Sequence, residues 1–367
     1  MFSPAIKRNI ARIIPFAVFW LVFSIVYSLL ERGLLGKSNV YPSTGNPYDF
    51  HKTIWVTAFT AVITGCIIGS IEIFYLNRLF QKKSFAKKLL FKTLIYLGLI
   101  ILFLLGTTML FNASLLDASL NNPDVWKNVY AFFSSYAFWS VCIYIAVAIG
   151  VSLFYAEVSD NLGQSVLHNF ITGKYHRPKQ ENRIFMFLDM KSSTTIAEQM
   201  GHVHYFEMLK EYFADMSVPI IRYSGEIYQY VGDEIVISWP LHKGIYRNNC
   251  VNCFYAIRAA LARQKEKYHF AFEVFPEFKA GLHCGKVTAG EIGTIKKEIV
   301  FTGDVLNTAA RIQGLCNTYE SDILLSGELL EKLDLQKDFT ITPLGENELR
   351  GRDEKISLFT INKKEER

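Results

Sequence analysis

Two aspartates, Asp189 and Asp233, each stand where a short apolar run ends, in FLDMKSST (187–194) and YVGDEIVI (230–237). RIFMFLD (183–189) suits a buried strand that delivers its acid at the terminus, and GEIYQYVGDEIVISWP (225–240) reads as two strands joined by a tight turn at Gly232–Asp233. A strand end and a hairpin tip can bring two carboxylates together. Such a pair holds one or two Mg2+ or Mn2+ ions, hard cations that take oxygen ligands and keep positions open for phosphate oxygens. Ser192, Ser193 and Thr194 add hydroxyls and helix N-terminal amides just after the first acid. Further along, GDVLNTAAR (303–311) sets Asn307 and Arg311 at i and i+4 on one helical face, an amide beside a guanidinium suited to phosphate. Taken singly, an Asp in a turn is ordinary turn chemistry and an Arg on a helix an ordinary surface charge. Taken together, metal carboxylates and an Asn–Arg helix are a constellation for phosphoryl transfer.

The segments between these motifs supply the scaffold. A helical stretch follows Asp189, with Phe206, Leu209, Tyr212 and Phe213 on one side; a long helix is expected over about 244–267, and strands near 277–283 and 286–293. The pattern is α+β with a largely antiparallel sheet of βααβ type. Cys250 and Cys253 form a CxxC inside the long helix, a spacing used in redox and zinc sites. With no second CxxC or matching histidine pair, the reading as small buried hydrophobes is favoured.

The order and spacing of these motifs resemble the class III nucleotidyl cyclases, the adenylate and guanylate cyclase family, over about residues 183–361. VGDEIVI alone is superficially similar to the GGDEF pattern of diguanylate cyclases; FLDMKSST upstream and GDVLNTAAR downstream favour the class III family. The resemblance implies a ferredoxin-like βααβ core and two Mg2+ or Mn2+ ions per active site, held by Asp189, Asp233 and the backbone carbonyl of Met190. It implies in-line attack of the ribose 3′-hydroxyl on the α-phosphate, with pyrophosphate leaving. Asn307 would orient the ribose and Arg311 contact the phosphates. Arg350, in ELRGRDE, stands where the family usually has a triphosphate-binding Lys, with Arg352 as a neighbouring substitute. Family sites form between two catalytic domains, so one chain carrying both halves implies a homodimer with two equivalent sites.

Base selection departs from the family pattern. Gln229 stands where adenylate cyclases commonly place Lys, and Val300 where the partner acid, Thr or Ser is found. Gln can read either purine edge, whereas Val contributes packing alone. The implied activity is conversion of ATP to 3′,5′-cyclic AMP and pyrophosphate. The same chemistry on GTP, or a non-catalytic nucleotide-binding regulator, are the alternatives; the presence of Asp189, Asp233, Asn307 and Arg311 together argues against the regulator.

Half of the 367 residues are hydrophobic, and the long apolar runs fall almost entirely in the first 155. Four runs, about 13–30, 53–76, 93–111 and 129–154, are long enough to cross a bilayer as helices. Lys7, Arg8 and Arg12 precede the first; Arg78, Lys82, Lys83, Lys87, Lys88 and Lys92 lie around the second connection; the third carries only Lys127, with Asp117 and Asp124. The positive-inside rule then places the N-terminus, the basic loop and everything after the fourth span in the cytoplasm, as expected of a multi-pass protein of the inner or plasma membrane with a cytoplasmic catalytic domain. The first run is long for a signal peptide and reads as an uncleaved helix. A four-span chain with little intramembrane charge is a poor candidate for a transporter. Trp20, Trp55, Trp126 and Trp139 read as interface anchors and packing, and Glu72, near a helix end, as a carboxylate that reaches the interface.

The expected organisation is a membrane domain over 1–155, a linker or signalling helix over 156–182, and a catalytic domain over 183–367. In the linker, Val158, Leu162, Val166, Leu167 and Phe170 recur at helical spacing, so an amphipathic helix should continue from the fourth span and end at Gly173. The net charge of +5 sits largely beside the spans; no basic stripe interleaved with aromatics suggests nucleic acid as a partner. The expected partners are ATP or GTP, a second copy of the chain, and the lipid bilayer.

Overall fold

The computed structural model describes residues 3–40, 47–80, 83–349 and 355–364. They form two compact units, one of Ile6–Leu167 and the other made chiefly of the chain from His168 onward.

The first unit is helical: α1 (Pro4–Leu35), α2 (Phe50–Ile71), α3 (Phe85–Leu115), α4 (Pro123–Phe133) and α5 (Tyr136–Leu162). Four stretches are long and apolar enough to span a bilayer, Pro4–Leu35, Phe50–Leu76, Phe85–Leu115 and Phe138–Leu162. They present large exposed apolar side chains such as Trp55, Phe59, Phe103 and Ile143, the surface that a bilayer would cover. Gly65 and Gly69 seat α2 on α1. A Cβ at Gly65 would stand 2.8 Å from both Ala17 Cα and Phe16 O, and one at Gly69 would stand 3.1 Å from the Phe16 ring.

Three expectations need correction here. The run 129–154 is not one helix: α4 stops at Phe133, and Ser135 caps α5 by accepting a hydrogen bond from Phe138 N at 3.1 Å. Two hydroxyl residues in an aromatic run do not register as a break by hydropathy, yet one of them starts a new helix. Glu72 is not an unpartnered carboxylate near a helix end. It is 4% exposed, with Lys92 Nζ at 2.5 Å and the Tyr96 hydroxyl at 3.3 Å, at the start of a π-helical turn, Glu72–Leu76. Finally, α5 does not run on to Gly173: Gly163, at φ 89°, separates it from α6 (Gln164–Ile171).

The second unit is built on β1 (Lys179–Met190), β2 (Glu226–Val231), β3 (Glu234–Pro240), β4 (Phe278–Ile292), β5 (Glu298–Thr302), β6 (Ile323–Ser326), β7 (Phe339–Asn347) and β8 (Ile356–Lys363). The sheet order is β2-β3-β1-β4-β6-β8-β7, with β5 on β4; the β4–β6 pair is parallel and the remaining pairs are antiparallel. Its longer helices are α7 (Ser193–Met200), α8 (His202–Arg222), α9 (Asn249–Ala262), α10 (Lys265–Phe272) and α11 (Asp304–Gly314). Alternation along β1 sorts the two faces. Ile184, Met186, Leu188 and Met190 join the main core with α8 and α9, while Phe185 and Phe187 join Val236, Val287, Val305 and Ala309 beneath α11.

Local breaks again differ from the sequence reading. The long helix over 244–267 is interrupted at Arg247 and Asn248, both at positive φ, because the Asn248 side chain exchanges hydrogen bonds with the backbone of Asp334. The two strands near 277–283 and 286–293 are one strand, β4. Gly285 is not a turn: a Cβ there would stand 2.7 Å from Val305 Cγ2, so the glycine admits α11 onto the sheet. β1 begins at Lys179, four residues before the apolar run read as the strand. On α8 the buried face is Met208, Leu209, Tyr212, Met216 and Ile220, and Phe206 is exposed. Cys250 and Cys253 are free and buried in α9, and burial pushes the Cys250 thiol up to about 12.

Candidate active site

Strand register brings the two aspartates together. β3 pairs antiparallel with β1 up to Leu188↔Ile235, so the β2–β3 turn, where Gly232 takes φ 64°, lies beside the end of β1. Asp189 shares its strand face with Phe185 and Phe187, the side covered by α11. Burial, and next the charge of Asp233, lift the Asp189 carboxyl above the usual carboxylate range; Lys279 and Gln313 act in the opposite sense. Gln313 Nε2 donates to Asp189 Oδ2 at 3.1 Å, and Lys279 Nζ lies 3.7 Å from the same oxygen.

The surroundings carry a negative field. The Glu234 carboxyl is pushed up to about 7 by burial and then by Asp189 and Asp233. Burial and both aspartates push the Tyr205 hydroxyl up to about 12, and Tyr212 moves the same way. Asp233 Oδ2 is buried and, among the described residues, accepts no hydrogen bond. A buried acceptor without a donor, in a field that lifts the acids around it, fits a cation with oxygen preference. Among the described residues no three His, Cys, Asp or Glu side chains converge as a closed metal cage. Two carboxylates alone leave coordination positions for water and substrate. The Met190 side chain is buried in the core, so only its carbonyl is available to an ion.

On the other side of the chemistry, α11 presents Asn307 exposed and Arg311 half-buried, with Arg311 Nη1 buried and without a hydrogen bond. Gly303, at φ 147°, turns the chain into this helix. The helix lies directly on β4 at Gly281, where a Cβ would stand 2.2 Å from Gln313 N and 2.6 Å from Ala309 O.

The remaining sequence-derived positions divide. Ser192, at φ 55°, precedes α7 and is exposed, as is Thr194; the Ser193 hydroxyl is engaged with Tyr205. A bulge in β2 between Ile227 and Gln229 pairs Gln229 with Val236, which turns both Tyr228 and Gln229 toward the α11 side of the sheet. Val300 is half-buried on β5, paired with Gly290. Tyr228 and Phe301, the neighbours of Gln229 and Val300, meet with ring centroids 5.2 Å apart, which draws β2 and β5 together. Arg350 and its neighbour Arg352 lie outside the described residues.

Three residues at this site escaped the sequence reading: Glu234, Lys279 and Gln313. Gln313 left a signal. It follows Val305 and Ala309 at i+8 and i+4, on the apolar face of α11, where an amide must find a partner. Lys279 left none, because only the β1–β4 register sets it opposite Asp189.

The Adenylate and Guanylate cyclase catalytic domain family matches residues 176–363. Adenylate cyclase 2 of Rhizobium meliloti (strain 1021) is 35% identical over 222 residues, 60% of this chain and 61% of that protein. Adenylate cyclase 1 of the same organism is 28% identical over 184 residues, 48% of this chain and 27% of that protein. The chain therefore spans less than two thirds of either relative. Among solved structures, the adenylyl cyclase CyaB from P. aeruginosa is 17% identical, with 52% of this chain and 97% of that chain covered and a TM-score of 0.46.

Proposed function

The chain belongs to the adenylate and guanylate cyclase catalytic domain family, and from that premise we propose that it is a membrane-anchored adenylate cyclase. It would convert ATP to 3′,5′-cyclic AMP and pyrophosphate at sites shared between two copies. The observation that carries this reading is the pairing of Asp189 with Asp233, whose buried Oδ2 lacks any donor. Asp189, Asp233 and the Met190 carbonyl would hold Mg2+ or Mn2+, two per site. When bound, these ions supply Lewis-acid activation of the 3′-hydroxyl and neutralise phosphate charge.

The chain's own residues do the rest. Asn307 orients the ribose so that its 3′-oxygen lies in line with the bond to the leaving pyrophosphate. Arg311, whose Nη1 has no hydrogen-bond partner among the described residues, takes the charge that gathers on the phosphate oxygens. Ser192 and Thr194, exposed at the start of α7, and Arg350 are further contacts for the triphosphate. Gln229 reads the purine edge and Val300 packs against it. Asn307 and Arg311 of one copy would complete the metal-bearing half of the other, giving two equivalent sites. The apolar helices anchor the pair in the inner or plasma membrane, with the catalytic unit on the cytoplasmic side that the basic residues Lys83, Lys87 and Lys88 mark.

The test uses the full chain in detergent micelles with equimolar ATP and GTP plus Mn2+, with products identified by mass spectrometry. Cyclic AMP is the expected product. Cyclic GMP would establish the second reading, which the neutral Gln229 leaves open. No cyclic product from a folded, nucleotide-binding dimer would overturn both. For the shared site, Asp189→Ala and Arg311→Ala should each abolish turnover, and mixing the two proteins should restore part of it. Mixed dimers without recovery would refute composite sites.

A further inference from the structure

Asp189 is held by two groups that the proposed reaction does not use. Gln313 donates to its Oδ2 at 3.1 Å and Lys279 stands 3.7 Å from that same oxygen; neither contact uses Oδ1. Gln313 is 7% exposed and lies on the face of α11 that buries Val305, Ala309 and Ile312. Against a carboxylate only the NH2 end of its amide can donate, so its orientation is fixed by chemistry. The helix cannot slide to relax the contact, since at Gly281 its backbone lies where a Cβ would be. Gln313 is two residues past Arg311, roughly 200° around the helix. One face of α11 thus grips the acid of its own chain, and another carries Asn307 and Arg311.

We propose that Gln313 is a positioning residue for metal binding, fixing the Asp189 carboxylate through Oδ2 and leaving Oδ1 for the ion. It ties the metal-holding acid of each chain to the helix that would serve the other chain's site. This rests on the cyclase reading above. The amide spares the carboxylate the loss of rotational freedom when an ion arrives, because that freedom is already gone. Loss of the hydrogen-bond partner of a metal ligand commonly weakens metal binding about 10–100-fold.

The first test is Mn2+ uptake by the full chain, read from the electron paramagnetic resonance signal of free Mn2+, which needs no turnover. Gln313→Met keeps the side-chain volume and should weaken uptake about tenfold. Gln313→Asn, too short to reach, should do the same and guards against a folding defect in the first variant. Unchanged uptake in both would overturn the proposal while leaving the cyclase reading intact. If wild type and Asp189→Ala take up Mn2+ equally, the metal site itself is wrong and both fall.

The second test uses the mixed dimer of Asp189→Ala and Arg311→Ala chains, whose intact site takes its carboxylates from the Arg311→Ala chain. Gln313→Met on that chain should raise the Mn2+ needed for half-maximal activity about tenfold. On the Asp189→Ala chain it should change nothing. Equal shifts from either chain would mean that Gln313 only seats α11, which overturns the proposal.

Discussion

Glu72 and Asp233 are both carboxylates in largely buried settings, yet the chain treats them in opposite ways. In the helical unit each Glu72 oxygen has a donor, one from Lys92 and one from Tyr96; Glu157 takes Lys88 at 2.6 Å and Lys92 at 3.8 Å. Arg12 and Asn77 complete Asp160 at 2.5 and 2.8 Å. Two acids and two lysines balance, so the cost of removing them from water is met within the bundle. In the catalytic unit, among the described residues, Asp189, Asp233 and Glu234 have one ammonium beside them, Lys279 Nζ at 3.7 Å from Asp189, and Asp233 Oδ2 is a buried acceptor without a donor. A cluster that only holds helices together finishes its own pairing. A cluster of acids that leaves a buried acceptor without a donor keeps a valence for a cation that its own side chains do not supply.

The sharpest way to break that comparison is to neutralise one charged group in each unit. In the catalytic unit, Arg311→Ala should lower turnover by about 10³-fold or more, as expected for a guanidinium that stabilises a phosphoryl transition state. The thermal midpoint should hold, because Arg311 Nη1 has no hydrogen bond to lose among the described residues. In the helical unit the pattern should reverse. Lys92→Met strands Glu72 in the bundle and should destabilise it by about 3–5 kcal/mol, measured by denaturant unfolding in micelles, with most of the loss recovered in Glu72→Gln/Lys92→Met. If Arg311→Ala unfolds the chain and Lys92→Met does not, the two clusters have been assigned the wrong way round.

A smaller effect concerns the base. Gln229→Lys supplies the donor common in adenylate cyclases, at a position that the β2 bulge turns toward the α11 side of the sheet. The ratio of ATP to GTP turnover should shift about tenfold, the size of one hydrogen bond to a purine edge. An unchanged ratio would place base reading elsewhere in the site.

What the sequence revealed tracks how local each feature is. The strand that ends in Asp189, the hairpin that carries Asp233, and the Asn307–Arg311 spacing are each written within about one element, and periodicity exposes them. The helix break at Asn248 depends on Asp334, 86 residues away, and the Gln313–Asp189 bond joins residues 124 apart. Glu72 looked like an interfacial acid because its partners, Lys92 and Tyr96, belong to another helix. The strands near 277–283 and 286–293 read as separate because the contact that explains the glycine between them, Gly285, is made by Val305, in a helix that follows later in the chain. Local chemistry announces itself; the groups that support it are fixed by register and packing.

The same imbalance predicts how the catalytic unit responds to pH. Burial, Asp189 and Asp233 push the Glu234 carboxyl up to about 7 from the ordinary 4.5, and Asp189 is displaced in the same direction. A raised carboxyl binds more protons folded than unfolded, so its contribution is fully present below pH 4.5 and is lost as pH rises through 7. Because Glu234 is only half-buried, solvent screening reduces the effect to about 1 kcal/mol. Hydrogen exchange of the β2–β3 hairpin should therefore quicken between pH 5 and 8 beyond the intrinsic rate increase, and Glu234→Gln should remove that excess. Mn2+ competes with the protons for the same charge, so its protection of the hairpin should be greater at pH 8 than at pH 5. Protection of the metal-free hairpin that grows with pH would mean that the acids are already compensated, and the contrast with the Glu72 cluster would disappear.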